Sequence, residues 1–210
     1  LFLTVIGGLY VDNTYDLKTY FNNITIFNDD EKKKILNINH SDSFNFFNKI
    51  ALEVNHQDYL NKKLFLDVKT LLPGNNLVKP DRMGMAMSLE ARTPFLDYRV
   101  VELAFKIPGS LKIKNNQTKY IYKKAVRNLI GDKLAFRKKQ MFTVPVGEWF
   151  KKKKYNFCKD RIRILQEKTD FIKINYINKL LEAHVKGSRN CTREIRTIIS
   201  LSYWIEQYLD

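Results

Sequence analysis

Glycine, proline and cysteine are all scarce in this 210-residue chain, which has 8 Gly, 5 Pro and 2 Cys. So little Gly and Pro excludes collagen-like and mucin-like repeats, and no sustained heptad supports a coiled-coil rod. The cysteines, Cys158 and Cys191, lie 33 residues apart. That spacing fits neither a zinc motif nor a disulfide framework, so they read as free thiols of a reducing cytoplasm. The three histidines, His40, His56 and His184, form no HExxH and no Cys/His cluster, so no metal site is expected. No apolar run approaches the roughly 18 residues that a membrane span requires. Neither GxGxxG nor GxxxxGK[ST] occurs, so the common phosphate loops are missing. The apolar start, Leu1 to Tyr10, has no basic leader and no small-residue cleavage site, which argues against a signal peptide. The initiator Met is also missing, and the expectation is a piece of a longer protein.

What is present is a core-forming composition, 44% hydrophobic and 13% aromatic, with a net charge of +15. The charge is uneven. Residues 1–100 hold 12 basic and 12 acidic side chains, whereas residues 101–210 hold 25 basic and 10 acidic ones. Such a surplus suits a phosphate- or nucleic-acid-binding surface, or else a lysine-rich solvated face. Its densest run is Lys151 to Lys154. Phe150 and Tyr155 flank that run without interleaving it, so the pattern favours a solvated face over a nucleic-acid reader.

The apolar spacing is helical almost throughout, so the expected fold class is mostly α. Asn28 caps an acidic first turn, with a helix to Leu36. Ser41-Asp42-Ser43 opens a helix carrying Phe44, Phe46, Phe47, Ile50 and Leu52. Further helices are expected over 57–72 (ended by Pro73-Gly74), 98–107 (capped by Asp97), 118–130 (closed by Gly131), 172–186 and 192–208. Four of these, 57–72, 98–107, 118–130 and 192–208, are the expected core. Strand patterning is confined to Leu1–Ile6 and Leu111–Ile113.

Residues 81–97, Asp-Arg-Met-Gly-Met-Ala-Met-Ser-Leu-Glu-Ala-Arg-Thr-Pro-Phe-Leu-Asp, hold the most chemistry. Asp81 to Glu90 reads as a short helix with Met83, Met85, Met87 and Leu89 buried. Arg82 at its rim suits bidentate recognition of a carboxylate or phosphate. By residue type alone, pairing with Asp81 or a helix end is the favoured reading. Glu90 and Arg92 read as an ion pair fixing the turn before Pro94.

This segment resembles the signature of the synthetase domain of glutamine-dependent asparagine synthetases. The resemblance extends in order over about residues 25–210. It includes Leu66-Asp67-Val68-Lys69-Thr70-Leu71-Leu72-Pro73-Gly74, Val101-Glu102-Leu103-Ala104, Ile107-Pro108, and Lys119 with Ala125. It continues through Arg137-Lys138-Lys139-Gln140-Met141-Phe142, Pro145, Trp149, Glu182-Ala183-His184 and Leu201 to Trp204. It implies the helical C-terminal portion of an α/β ATP-pyrophosphatase domain of the adenine nucleotide α-hydrolase-like type. Residues 1–24 stay unassigned.

The implied activity is asparagine biosynthesis by an amidotransferase. Mg-ATP adenylates the aspartate β-carboxylate, and ammonia released from glutamine displaces AMP. The resemblance places the catalytic cation at Lys139 and puts Arg82 beside the amino-acid substrate. It supplies no cofactor-binding residue, because the Ser-Gly-Gly-x-Asp-Ser pyrophosphate loop is absent, as is a glutaminase domain. ATP and Mg2+ therefore belong to the parent enzyme, and the chain alone is expected to be inactive. It is also expected to self-associate through helices that would otherwise pack on the missing sheet. Gly84 stands where the family has Ser, Met141 where it has Gly, and Lys123 where it has Arg. These departures leave open a related amide-forming ligase with another carboxylate substrate. A basic helical module binding nucleic acid or a partner protein is the further alternative.

Overall fold

A computed structural model describes residues 16–38, 42–54, 58–138 and 144–209. The expected strand at Leu1–Ile6 lies outside them. In chain order the α-helices are α1 (Leu17–Ile24), α2 (Asp29–Ile35), α3 (Ser43–Leu52), α4 (Tyr59–Lys69), α5 (Val78–Met85), α6 (Tyr98–Lys106) and α7 (Gly109–Lys112). They continue as α8 (Tyr120–Ile130), α9 (Asp132–Ala135), α10 (Val146–Lys151), α11 (Tyr155–Lys168), α12 (Ile174–Val185) and α13 (Thr192–Tyr208). One two-stranded hairpin, β1 (Ile113–Lys114) with β2 (Gln117–Thr118), interrupts them. None of the described helices is long and apolar enough to cross a membrane.

The chain divides into two compact units, residues 1–17 with 43–140, and residues 18–42 with 141–210. The second unit holds a continuous apolar core. Cys158, Ile162 and Leu165 of α11 meet Ile177, Leu180 and Leu181 of α12 and Ile195, Ile198, Ile199 and Ile205 of α13. Ile35 of α2 and Phe150 of α10 close this cluster.

Helix α2 forms as its sequence dictates. Asn28 accepts from the Glu31 amide at 2.9 Å while Glu31 reaches back to the Asn28 amide at 3.2 Å, a complete capping box. Beyond α2 the backbone pairs across a long stretch of sequence. Lys173 N–H donates to Ile35 O at 2.6 Å and Asn37 N–H to Phe171 O at 2.8 Å. Arg189 adds ion pairs to Glu31 at 3.1 Å and Glu194 at 2.8 Å. Residues 18–42 are thereby tied to residues far along the chain, with the whole of α3 to α9 between them in sequence.

The first unit is built differently. Phe47 and Ala51 of α3 and Leu64 and Leu66 of α4 are buried, but α5, α6 and α8 contain no buried residue. The expected core therefore holds for 192–208 and in part for 57–72, but not for 98–107 or 118–130. Pro73 and Gly74 do not end the helix before them. They sit in a π-helical turn, Leu72–Leu77, that runs directly into α5. The expected strand at Leu111–Ile113 begins only at Ile113, because Leu111 belongs to α7. Asn115 and Asn116 make the hairpin turn, both with positive φ, as asparagine tolerates there.

Candidate functional site

The signature segment begins on α5 and then folds back on itself. Met87 and Leu89 both donate backbone N–H to Gly84 O at 2.9 Å, and Ser88 takes a φ of 58°. A Cβ at Gly84 would lie 2.7 Å from Leu89 O, so the family's serine could not occupy this turn without opening it. Met83, Met85, Met87 and Leu89 are all more than half exposed, which corrects the expectation that they are buried. The reason is tertiary: the chain turns after Met85 and leaves no helix whose stripe could face a core. Arg82 is exposed on α5, and no ion pair or hydrogen bond joins its guanidinium to Asp81 or to any other described residue. Glu90 and Arg92 do pair, at 2.9 Å. Asp97 caps α6 and binds Arg99 at 2.8 Å, which holds the Asp97 carboxyl below its ordinary range.

Farther along, α8 and α9 enclose a cavity of about 290 Å³. Four cations line it: Lys119, Lys123, Arg137 and Lys138. Tyr122, Ile130 and Leu134 supply the apolar wall, and no carboxylate is among the described residues that line it. The nearby Asp132 is engaged by Arg127 through two hydrogen bonds of 3.0 and 2.9 Å. Converging cations suit an anion, and phosphate or carboxylate is the ligand class that guanidinium and ammonium share.

Lys119 enters this cavity from the residue before α8 with φ 58° and ψ 31°. A left-handed lysine is uncommon and is retained where the surroundings require it. Lys139 follows Lys138 directly but lies outside the described residues, as does Met141.

Sequence reasoning put Lys139 and Arg82 at the site. Among the described residues the structure gathers Lys119, Lys123, Arg137 and Lys138, and Arg82 does not line this cavity. Lys119 and Lys123 stood out in the sequence as an anchor of the resemblance and a departure from it, not as parts of one site. Their convergence depends on the αL residue and on α9 turning back at Gly131, whose φ is 77°.

Elsewhere the chemistry is structural. Lys151 pairs with Glu148 at 2.8 Å, which lowers the Glu148 pKa, and Lys152 to Lys154 are exposed. His184 is buried between Gly147 O at 2.9 Å and the Cys191 amide at 3.3 Å, so Nε2 carries the proton and donates, and Nδ1 accepts. Both cysteines are buried free thiols, and burial pushes Cys158 up to about 11 and Cys191 in the same direction. Among the described residues no cluster of three His, Cys, Asp or Glu side chains is placed to hold a metal ion.

Residues 11–206 match the family model described as asparagine synthase, and the chain belongs to that family. Among curated proteins it is similar to asparagine synthetase [glutamine-hydrolyzing] 1 of Bacillus subtilis, 35% identical over 188 residues, which is 88% of this chain and 29% of that protein. A second B. subtilis protein, asparagine synthetase [glutamine-hydrolyzing] 3, is 39% identical over 85 residues, 37% of this chain and 14% of that protein. An amidase of Gibberella zeae, chry2, is 29% identical over 92 residues, 40% of this chain and 14% of that protein. The chain thus spans under a third of the length of the curated relatives it matches. No solved structure matches it.

Proposed function

We propose that this chain is the helical C-terminal part of the synthetase domain of a glutamine-dependent asparagine synthetase, on an α/β ATP-pyrophosphatase fold. One observation carries the reading: a cation-lined cavity ending on Arg137 and Lys138, one residue before Lys139, in a chain of this family. The exposed apolar residues of α5, α6 and α8 add support, since such a surface is what helices present when a further layer of the same protein covers them. On the same ground the isolated chain self-associates, and sedimentation at rising concentration tests this.

In this reading aspartate supplies its β-carboxylate, ATP its adenylyl group and glutamine the ammonia, with the reaction confined to the cytoplasm. Lys119, Lys123, Arg137 and Lys138 hold the phosphates by charge-assisted hydrogen bonds. Lys139 presents a fixed ammonium to the oxygens on which charge grows as pyrophosphate departs. Arg82, with no acidic partner among the described residues, binds a carboxylate of the amino acid. No described residues form a Mg2+ site, so no step here is assigned to residues that would hold one.

The test is Lys139→Ala in an enzyme carrying this chain together with its pyrophosphate loop and glutaminase domain. Turnover should fall about 10²–10³-fold with a much smaller change in KM. Lys152→Ala, on an exposed turn, should leave turnover unchanged. Wild-type turnover in Lys139→Ala would overturn the assignment. A second reading, amidation of another carboxylate, draws on the Gly84 turn, which excludes the family's serine. Replacing aspartate by a panel of carboxylic acids in the same assay decides between them.

A further inference from the structure

A second cavity, of about 260 Å³, lies on the other side of the α8 start. It shares Lys119 and Tyr122 with the cationic cavity, but its walls are otherwise almost wholly apolar. Leu103 and Phe105 of α6, Ile107 after it, and Ile121 of α8 form much of the lining. Lys112 of α7 also lines it, although this lysine is only 8% exposed.

A buried ammonium in apolar surroundings is costly unless its donors are satisfied. Lys112 Nζ donates to Asn61 Oδ1, and the Phe105 ring centroid lies 5.4 Å away. The Asn61 amide is fixed in that orientation, because its Nδ2 donates to Asp58 Oδ2 at 2.9 Å and Ile107 O at 3.1 Å. Asp58 is itself occupied, accepting from the Asn61 amide at 2.9 Å and the Gly109 amide at 2.9 Å. An ammonium has three donors, and Asn61 Oδ1 is the one hydrogen-bond acceptor Lys112 has among the described residues. Donors are therefore left over, nine-tenths buried, on the wall of an apolar cavity. Burial lowers the Lys112 pKa, and the nearby Asp58 opposes that shift.

We propose that this cavity binds a small apolar monocarboxylate, its carboxylate on the Lys112 ammonium and its hydrocarbon body among Leu103, Phe105 and Ile121. The volume suits a ring with a short chain, since an apolar cavity of roughly 150 Å³ already holds benzene. Among the described lining residues there is no carboxylate to pair with an ammonium, so an amino acid is disfavoured. The site is thus distinct in chemistry from the cationic cavity beyond Tyr122.

Isothermal titration of the chain with 3-phenylpropionate and with its neutral amide tests the proposal. The carboxylate should bind about tenfold more tightly than the amide, the worth of one charge-assisted bond. Lys112→Met should abolish that difference while the amide still binds. Ile121→Trp, which fills the cavity without replacing any member of the Asp58–Asn61–Lys112 network, should abolish binding of both. It also keeps the test decisive if Lys112→Met does not fold. Equal affinity for acid and amide in the wild type, unchanged acid binding in either folded variant, or no binding of either probe at millimolar concentration would overturn the proposal.

Discussion

The two units of this protein are made of helices of the same kind, yet only one of them covers its own apolar stripes. In the second unit, Leu165 and Ile205 are 0% exposed and the faces of α11, α12 and α13 meet in one cluster. In the first, Leu103 of α6 is 60% exposed and Leu129 of α8 is 82% exposed. The difference teaches that an amphipathic period reports where a helix is apolar, not whether anything lies against it. Stability should follow burial, and the energy of the fold should be concentrated in residues 18–42 and 141–210.

That contrast breaks most sharply under truncation. Leu165→Ala should cost about 2–5 kcal/mol, because it opens a cavity in a closed core. Leu103→Ala should cost about 0.5 kcal/mol or less. Urea denaturation reads both, by tryptophan fluorescence for Leu165→Ala, since Trp149 and Trp204 both lie in the second unit, and by circular dichroism for Leu103→Ala. Equal costs would mean that α6 is as well covered as α11.

His184→Ala comes next, at about 2–4 kcal/mol, since it strands the Gly147 carbonyl and the Cys191 amide in the second unit without partners. A tryptophan-monitored midpoint that does not move would show that these groups find water.

Alkaline pH should separate the units by sign. The Cys158 pKa rises from 9.0 to about 11 on folding, so the folded second unit holds its proton longer than the unfolded chain does. Its stabilisation is complete below about pH 9 and is lost as pH climbs through about 11, up to about 2–3 kcal/mol. Lys112 shifts the opposite way, below 10.5, so the folded first unit sheds its proton before the unfolded chain. Its penalty is relieved as pH rises toward 10.5. Tryptophan-monitored urea midpoints should therefore fall between pH 8 and pH 10, while amide protection over residues 58–130 should not. Parallel losses in both units would refute the opposed signs.

A smaller effect than those of the second unit sharpens the first unit alone. A Cβ at Gly109 would lie 2.6 Å from Asp58 Oδ1 and 2.9 Å from Leu60 Cβ. Gly109→Ala should cost about 1–3 kcal/mol through that overpacking, measured by thermal melting followed by circular dichroism.

Much of the local structure could be read without coordinates. The Asn28 capping box, Asp97 at the start of α6 and Gly131 after α8 are short-range devices, and each stands where its residues imply. Helix α11 could not be read so easily. The Lys151 to Lys154 run draws attention to charge, and Arg161 sits on its buried face, with Nε on Ser202 Oγ at 2.8 Å and Nη1 on Glu206 at 2.8 Å. An arginine at a core position looks like a solvent position until its partners on α13 are known. Lys112 hid for the same reason, since only Asn61 and Asp58 across the unit explain a buried lysine.

The order of residues alone settles the mostly helical class, the helix caps and the family, because these depend on short-range patterns and on a dozen anchors kept in one order. Folding in three dimensions decides which stripes become core, how Gly84 receives Leu89, and which cations converge on the cavity beside α8. Those outcomes rest on contacts between residues far apart in sequence, and burial and charge convergence are properties of such contacts rather than of any single helix.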